Sequence, residues 1–72
     1  MTTLIIHGVS YQETLASTKS ERFKEVETVV GPSRLYRKGT GIELFADYGN
    51  RDHADLAMVA LNYLPGVRAE IV

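Results

Sequence analysis

The chain has 72 residues, of which 44% are hydrophobic and 24% charged, and it contains no cysteine. Eight basic against nine acidic side chains give a formal net charge of -1, which excludes attraction to nucleic acid or to an anionic membrane through overall charge. Without cysteine there are no disulfides, no thiolate catalysis and no cysteine-ligated metal. We expect a single domain over residues 1–72, stabilised by packing or self-association.

The amino-terminal residues predict a strand and a cytoplasmic location. The apolar run before His7 is Leu4–Ile6, which is far shorter than a signal peptide or the roughly 20 residues of a membrane-spanning helix. β-Branched residues continue to about Val9, and both parities of the run are apolar. This pattern is typical of a strand in the centre of a sheet.

Residues 10–30 predict a first helix whose start is ambiguous. Two Ser/Thr-x-x-Glu capping boxes are present, Ser10 with Glu13 and Thr18 with Glu21, so the helix begins near residue 11 or near residue 19. Gly31-Pro32 marks its end. The residues that form an apolar stripe at helical spacing are Leu15, Ala16, Phe23, Val26 and Val30.

Residues 33–48 predict a hairpin. An edge strand over Ser33–Lys38 leads to a two-residue primed turn at Gly39-Thr40. The third strand runs from Gly41 to about Tyr48. Its inward residues Ile42, Leu44 and Ala46 alternate with the outward residues Glu43, Phe45 and Asp47.

The last third of the chain predicts a helix and a strand. A loop at Gly49-Asn50 is followed by a plausible helix cap, and Asp52 and Asp55 in the first turns suit the helix dipole. The apolar arc of this second helix, about 200° wide, is wider than that of a surface helix. It is expected to bury two sides and to offer a competing contact surface around Met58 and Leu61. After Pro65-Gly66, residues 67–71 alternate as a strand.

This order of elements predicts an α+β fold of the ferredoxin-like split βαβ type (βαββαβ). Right-handed crossovers then place both helices on one face of a four-stranded antiparallel sheet, with the first and third strands central. The opposite face is expected to be open. The inward residues are expected to be Leu4, Ile6, Leu35, Ile42, Leu44, Ala46, Val67, Ala69 and Ile71.

The open face is predicted to bind a protein partner. Burying the unpaired Glu43 carboxylate would cost several kcal/mol, whereas exposing Phe45 costs about 2–3 kcal/mol. Glu43 and Phe45 of the third strand are therefore expected to point towards the open face. Aromatic anchors with a rim of both charge signs are typical of an interface. We expect a small regulator or inhibitor, for example of phage type, with homodimerisation as the simplest case. The candidate partner-binding residues are Ile5, His7, Arg34, Tyr36, Lys38, Glu43, Phe45 and Asp47.

Residues 38–45, Lys-Gly-Thr-Gly-Ile-Glu-Leu-Phe, suggest an alternative. They resemble the longer signature of the RNA-recognition motif family at Lys38, Gly39, Gly41 and Phe45, while residues 4–9 and 54–62 are similar to the family's shorter signature and following helix. The resemblance implies single-stranded RNA stacked on sheet-face aromatics. Thr40, Ile42 and Ile5 stand where the family places aromatic rings. The alternative therefore relies on a basic hairpin, whose residues are Arg34, Tyr36, Arg37 and Lys38.

The sequence contains no pattern typical of a catalytic or metal site. His7 and His53 are the only imidazoles, and they lie in different elements without metal-ligand spacing. Neither a nucleophile elbow nor a phosphate-binding loop is present. We therefore expect no enzymatic activity, no metal and no cofactor. A second alternative, a dimeric small-ligand sensor, rests on analogy of fold alone.

Overall fold

The elements follow one another in the predicted order of strand, helix, strand, strand, helix, strand. In the computed structural model, which describes residues 1–72, they are β1 (Thr2–His7), α1 (Glu21–Val30), β2 (Leu35–Tyr36), β3 (Leu44–Tyr48), α2 (Arg51–Asn62) and β4 (Arg68–Ile71). A 3-10 turn at Tyr11–Leu15 precedes α1, and a second at Pro32–Arg34 precedes β2. The fold belongs to the α+β class.

The four strands form one antiparallel sheet in the order β2-β3-β1-β4. The prediction that the first and third strands are central is therefore confirmed. In the β1–β3 register Ile5 lies opposite Phe45, and Thr3 lies opposite Asp47. On the other side of β1, Ile5 lies opposite Glu70 of β4. Side chains at paired positions share a face of the sheet, so this register decides which residues can act together.

One hydrophobic core lies between the helices and one face of the sheet. Because the core residues of each strand alternate with outward ones, both helices cover the same face, and neither covers the other. Leu44 and Ala46 are fully buried, as their predicted inward parity requires. The core residues of the three longer strands and the two helices are Leu4, Ile6, Leu44, Ala46, Tyr48, Ala69, Phe23, Val26, Val30, Ala54, Ala57 and Leu61.

The predicted hairpin at residues 33–43 is wrong in three details. The second strand shrinks from Ser33–Lys38 to two residues because Pro32 starts a 3-10 turn. β3 begins at Leu44 instead of Gly41. Ile42, predicted to point inward, is 55% exposed. Its carbonyl accepts a hydrogen bond of 2.7 Å from the Tyr11 backbone N–H, so this segment pairs with the first 3-10 turn and not with the sheet.

Each of the two predicted helix starts is partly right. The Ser10–Glu13 capping box forms, but it caps the first 3-10 turn. α1 starts at Glu21 with Ser20, and not Thr18, as its cap. The Ser20 hydroxyl also donates to Glu13 Oε1 at 2.7 Å, and this hydrogen bond lowers the pKa of the Glu13 carboxyl. One carboxylate thus joins the start of the turn to the start of the helix.

α2 buries one side, where the sequence predicts two. Asn50 caps the helix, and its side-chain oxygen accepts a hydrogen bond of 2.7 Å from the Asp52 N–H. Leu61 is fully buried in the core, so the prediction of a contact surface around it is wrong. Met58 is half-buried. The exposed apolar residues of this helix and its end are Leu56, Val59 and Tyr63.

Candidate functional site

Three apolar side chains form a row across the open face of the sheet. Tyr36 lies opposite Phe45, and Phe45 lies opposite Ile5. The centroids of the two aromatic rings are 5.9 Å apart with an interplanar angle of 32°. All three side chains are half-buried. The structure therefore places the three predicted anchors next to one another, on the face that neither helix covers.

Asp47 fixes one end of this row. Its Oδ1 accepts hydrogen bonds of 2.7 Å from the Thr3 hydroxyl and of 2.7 Å from the Tyr36 hydroxyl. These bonds hold the pKa of the Asp47 carboxyl below its usual value. The same contact raises the pKa of the Tyr36 phenol, because losing the proton would break the bond to a carboxylate. The Tyr36 ring is thereby held in one orientation.

Thr3 is a residue of this site that sequence reasoning missed. It lies two residues before Ile5 and therefore has the same outward parity on β1. That parity is the signal that could have placed it on the open face. Its hydrogen bond to Asp47 joins residues 44 positions apart in the chain, so the contact itself depends on the register of β1 and β3.

His7 lies between two carboxylates at the other end of the face. Its Nδ1 is 3.5 Å from Glu43 Oε2, and its Nε2 is 3.4 Å from Glu70 Oε2. Arg68 Nη2 is 3.9 Å from the second carboxylate. Because the two carboxylates approach opposite nitrogens, the three groups do not converge on one point. No group of three or more His, Cys, Asp or Glu residues in the structure could hold a metal ion.

The predicted basic side chains are each stacked on a different aromatic ring. Lys38 Nζ lies 4.6 Å from the centroid of Phe45. Arg37 Cζ lies 4.9 Å from the ring of Tyr11, in the first 3-10 turn. The third, Arg34, stacks 4.3 Å from the Tyr48 ring and donates to the Asp47 backbone carbonyl at 3.0 Å. Of the predicted basic hairpin, Tyr36 belongs to the apolar row and Lys38 contacts it, whereas the two arginines stack on rings outside the row.

Acidification is expected to weaken the fold through Asp47. In the unfolded chain an aspartate titrates near about pH 3.9, whereas hydrogen bonds lower the pKa of Asp47 in the folded state. Its contribution to stability is therefore complete above about pH 5 and is lost as the pH falls through the unfolded pKa and then the lowered folded pKa. Between about pH 5 and pH 2, the Tm of the wild type should fall more steeply than that of Asp47→Asn, whose amide does not titrate.

A suitable control for this experiment is Glu25→Gln, since Glu25 is exposed and forms no ion pair. Its Tm should follow the wild-type pH profile. Parallel profiles for the wild type and Asp47→Asn would show that the hydrogen bonds to this carboxylate do not favour its charged form.

No helix of the structure is both long and apolar enough to cross a membrane. His53 is exposed in the first turn of α2, remote in sequence from His7 and outside the apolar row.

Comparison of the chain with protein-family models, curated proteins and solved structures finds no match. The residues of this chain are thus the basis for the function proposed below.

Proposed function

We propose that this chain is a non-enzymatic protein-interaction module that binds a partner through the open face of its sheet. The observation that carries the proposal is the row of Ile5, Phe45 and Tyr36, held in register across three strands on the face that neither helix covers. A chain of this size that occupies a surface of its partner would act as a small regulator or inhibitor.

We also propose that the fold is of the ferredoxin-like type. Its support is the order of elements, the antiparallel sheet with β1 and β3 in the centre, and the two helices on one face. In that plan one face of the sheet has no cover within the chain. Half-buried aromatic residues there remain available to a partner, which would exclude the remaining water from them.

The polar groups around the row favour specific protein binding. Asp47 and His7 are held by contacts inside the chain, so a partner meets side chains that are already ordered. Preorganisation of this kind reduces the entropy cost of association. The rim carries both signs of charge, as an interface with a complementary protein surface requires.

The same geometry makes RNA a poorer partner. Phe45 lies between Glu43, which directly precedes β3, and Asp47 of β3, and both carboxylates repel phosphate. Lys38 lies against the ring on which a base would have to stack. A base could therefore reach the ring only by displacing the ammonium group, and the row offers no exposed pair of stacked aromatics of the kind that single-stranded RNA uses.

Phe45→Ala is expected to weaken capture of the partner by at least about 10-fold, because a central aromatic anchor contributes about 2 kcal/mol or more to binding. The measurement is affinity capture from an extract of the native host with immobilised wild type, Phe45→Ala and Leu15→Ala. Leu15, which is 78% exposed on the first 3-10 turn, serves as the control position. A protein retained by wild type and Leu15→Ala but lost from Phe45→Ala is the expected result.

Nuclease treatment and a series of salt concentrations distinguish RNA binding from protein binding in the same experiment. Capture that survives nuclease and changes little with salt supports a protein partner. Capture that disappears with nuclease and falls steeply with salt would instead support RNA binding. Equal capture of every protein by wild type and Phe45→Ala would contradict a binding site on the open face.

A further inference from the structure

A second apolar surface lies on the outer side of α2. Leu56, Val59 and Tyr63 are 70%, 53% and 83% exposed. Their spacing of three and four residues places them on one side of the helix. We call these three residues the outer stripe. The body of α2 separates this stripe from the core, and the core separates it from the open face of the sheet.

The outer stripe lies beside two hollows in the surface. A groove of about 380 Å³ between α1 and α2 is lined by Leu56 together with Val29 and Val30 of α1. A second hollow, of about 240 Å³, is lined by Val59, Asn62 and Tyr63. Helices pack by inserting the side chains of one into gaps on the other, so this side of α2 has both the projections and the hollows that helix packing requires.

We propose that the outer stripe joins two copies of the chain, with α2 antiparallel to α2 of the partner. Together with Asp52, the stripe occupies positions 52, 56, 59 and 63, which are symmetric about the point between residues 57 and 58. A two-fold axis through that point brings Leu56 of one copy against Val59 of the other. It also brings Asp52 of each copy against Tyr63 of its partner.

The polar groups at the ends of the stripe are complementary in this arrangement. The Asp52 carboxylate forms no ion pair within the chain, and the Tyr63 hydroxyl forms no hydrogen bond within it. A phenol is a hydrogen-bond donor and a carboxylate an acceptor, so the two can pair across the interface. The last turn of α2 has no basic residue. Arg51 is paired with Asp55 of its own chain at 3.3 Å. Antiparallel pairing also brings the partner's Arg51 close to that end, where a cation is favoured by the helix dipole.

The experiment is sedimentation equilibrium of the full chain from about 10 μM to about 1 mM, a range of concentrations over which a dimer with a Kd in the micromolar range dissociates. The mass should rise from 8.0 kDa towards twice that value. Leu56→Glu and Val59→Glu should raise the Kd at least 10-fold, because each places charges against an apolar side chain of the partner. Circular dichroism verifies that these variants fold.

Two controls separate this surface from others. Leu15→Glu makes the same type of change at another exposed leucine and should still dimerise. Phe45→Ala should also dimerise, so failure of the sheet-face proposal would leave this one intact, and the reverse. A mass of 8.0 kDa at every concentration, or a dimer that Val59→Glu leaves unchanged, would overturn the proposal.

The orientation can be tested because the natural chain has no cysteine. When equal amounts of Leu56→Cys and Val59→Cys chains are mixed and oxidised, random collision would give about half of the cross-links as 56–59. Antiparallel pairing predicts that the 56–59 cross-link clearly exceeds that share, since a disulfide requires close Cβ atoms. Predominance of the two like cross-links would indicate parallel helices and would overturn the proposed arrangement.

Discussion

Phe23→Ala is expected to unfold a large fraction of the molecules, whereas Phe45→Ala leaves them folded. These are the only two phenylalanines in the chain. Phe23 is fully buried in the core, where truncation to alanine costs about 3–5 kcal/mol. A domain of this length has a total free energy of unfolding of only about 4–11 kcal/mol. Phe45 is half-buried on the open face, and its truncation should cost about 1 kcal/mol.

Urea unfolding followed by circular dichroism measures both variants on one scale. The matched substitution isolates the position of the ring, because the same atoms are removed in each case. If the two variants lost equal free energy of unfolding, Phe45 would be a core residue, and the open face would have no central anchor.

Gly8→Ala is expected to cost more than about 3 kcal/mol, because it combines a strained backbone with a steric clash. Gly8 has φ +98°, a conformation that residues with a side chain rarely adopt. A Cβ there would also clash with the Gly66 carbonyl oxygen. Since that oxygen belongs to the backbone, relief requires the end of β1 to separate from the segment that leads into β4.

Substitutions at two other glycines separate the cost of the backbone conformation from the cost of the steric clash. Gly31 has φ +92° and ψ +129°, but nothing outside its chain neighbours lies within 4 Å of the position that a Cβ would occupy, so Gly31→Ala should show only the conformational cost of about 1–3 kcal/mol. Gly49 has neither a positive φ nor a close neighbour, and Gly49→Ala should be close to neutral. Thermal unfolding of the three variants gives the order. Equal losses for Gly8→Ala and Gly31→Ala would show that the close approach to Gly66 does not limit the fold.

The parity of β3 could be predicted from the sequence because two physical effects agree there. Alternation places Leu44 and Ala46 on one side, and the cost of burying Glu43 selects which side is inward. The approximate start of α2 could also be predicted, since the loop at Gly49-Asn50 and the acidic first turns are local signals. Local agreement of this kind needs no knowledge of the rest of the fold.

The misplaced residues depend on contacts between distant parts of the chain. The two-residue spacing of Ile42 from Leu44 predicts that both point inward. The Ile42 carbonyl accepts its hydrogen bond from the Tyr11 N–H instead, and nothing in the sequence of residues 41–43 indicates this distant contact. The exposed side of α2 was missed for a related reason. A wide apolar arc predicts that two sides are buried, but the chain supplies a partner only for the side of Ala57 and Leu61.

The two proposed surfaces have a combined consequence. Pairing through the outer stripe of α2 would leave the open face of each copy free, so a dimer would present two partner-binding faces. A partner with two matching sites could then bind both copies, and the second contact would be intramolecular. Val59→Glu should in that case weaken capture of a multivalent partner without changing any residue of the open face.

Partner binding at the open face is tested most directly by recording the amide NMR spectrum of the labelled chain during titration with the captured partner. The predicted result is that shift changes concentrate at residues 3–7, 36–38, 43–47 and 68–70. Changes confined to α2 and α1, with those strand residues unaffected, would contradict it.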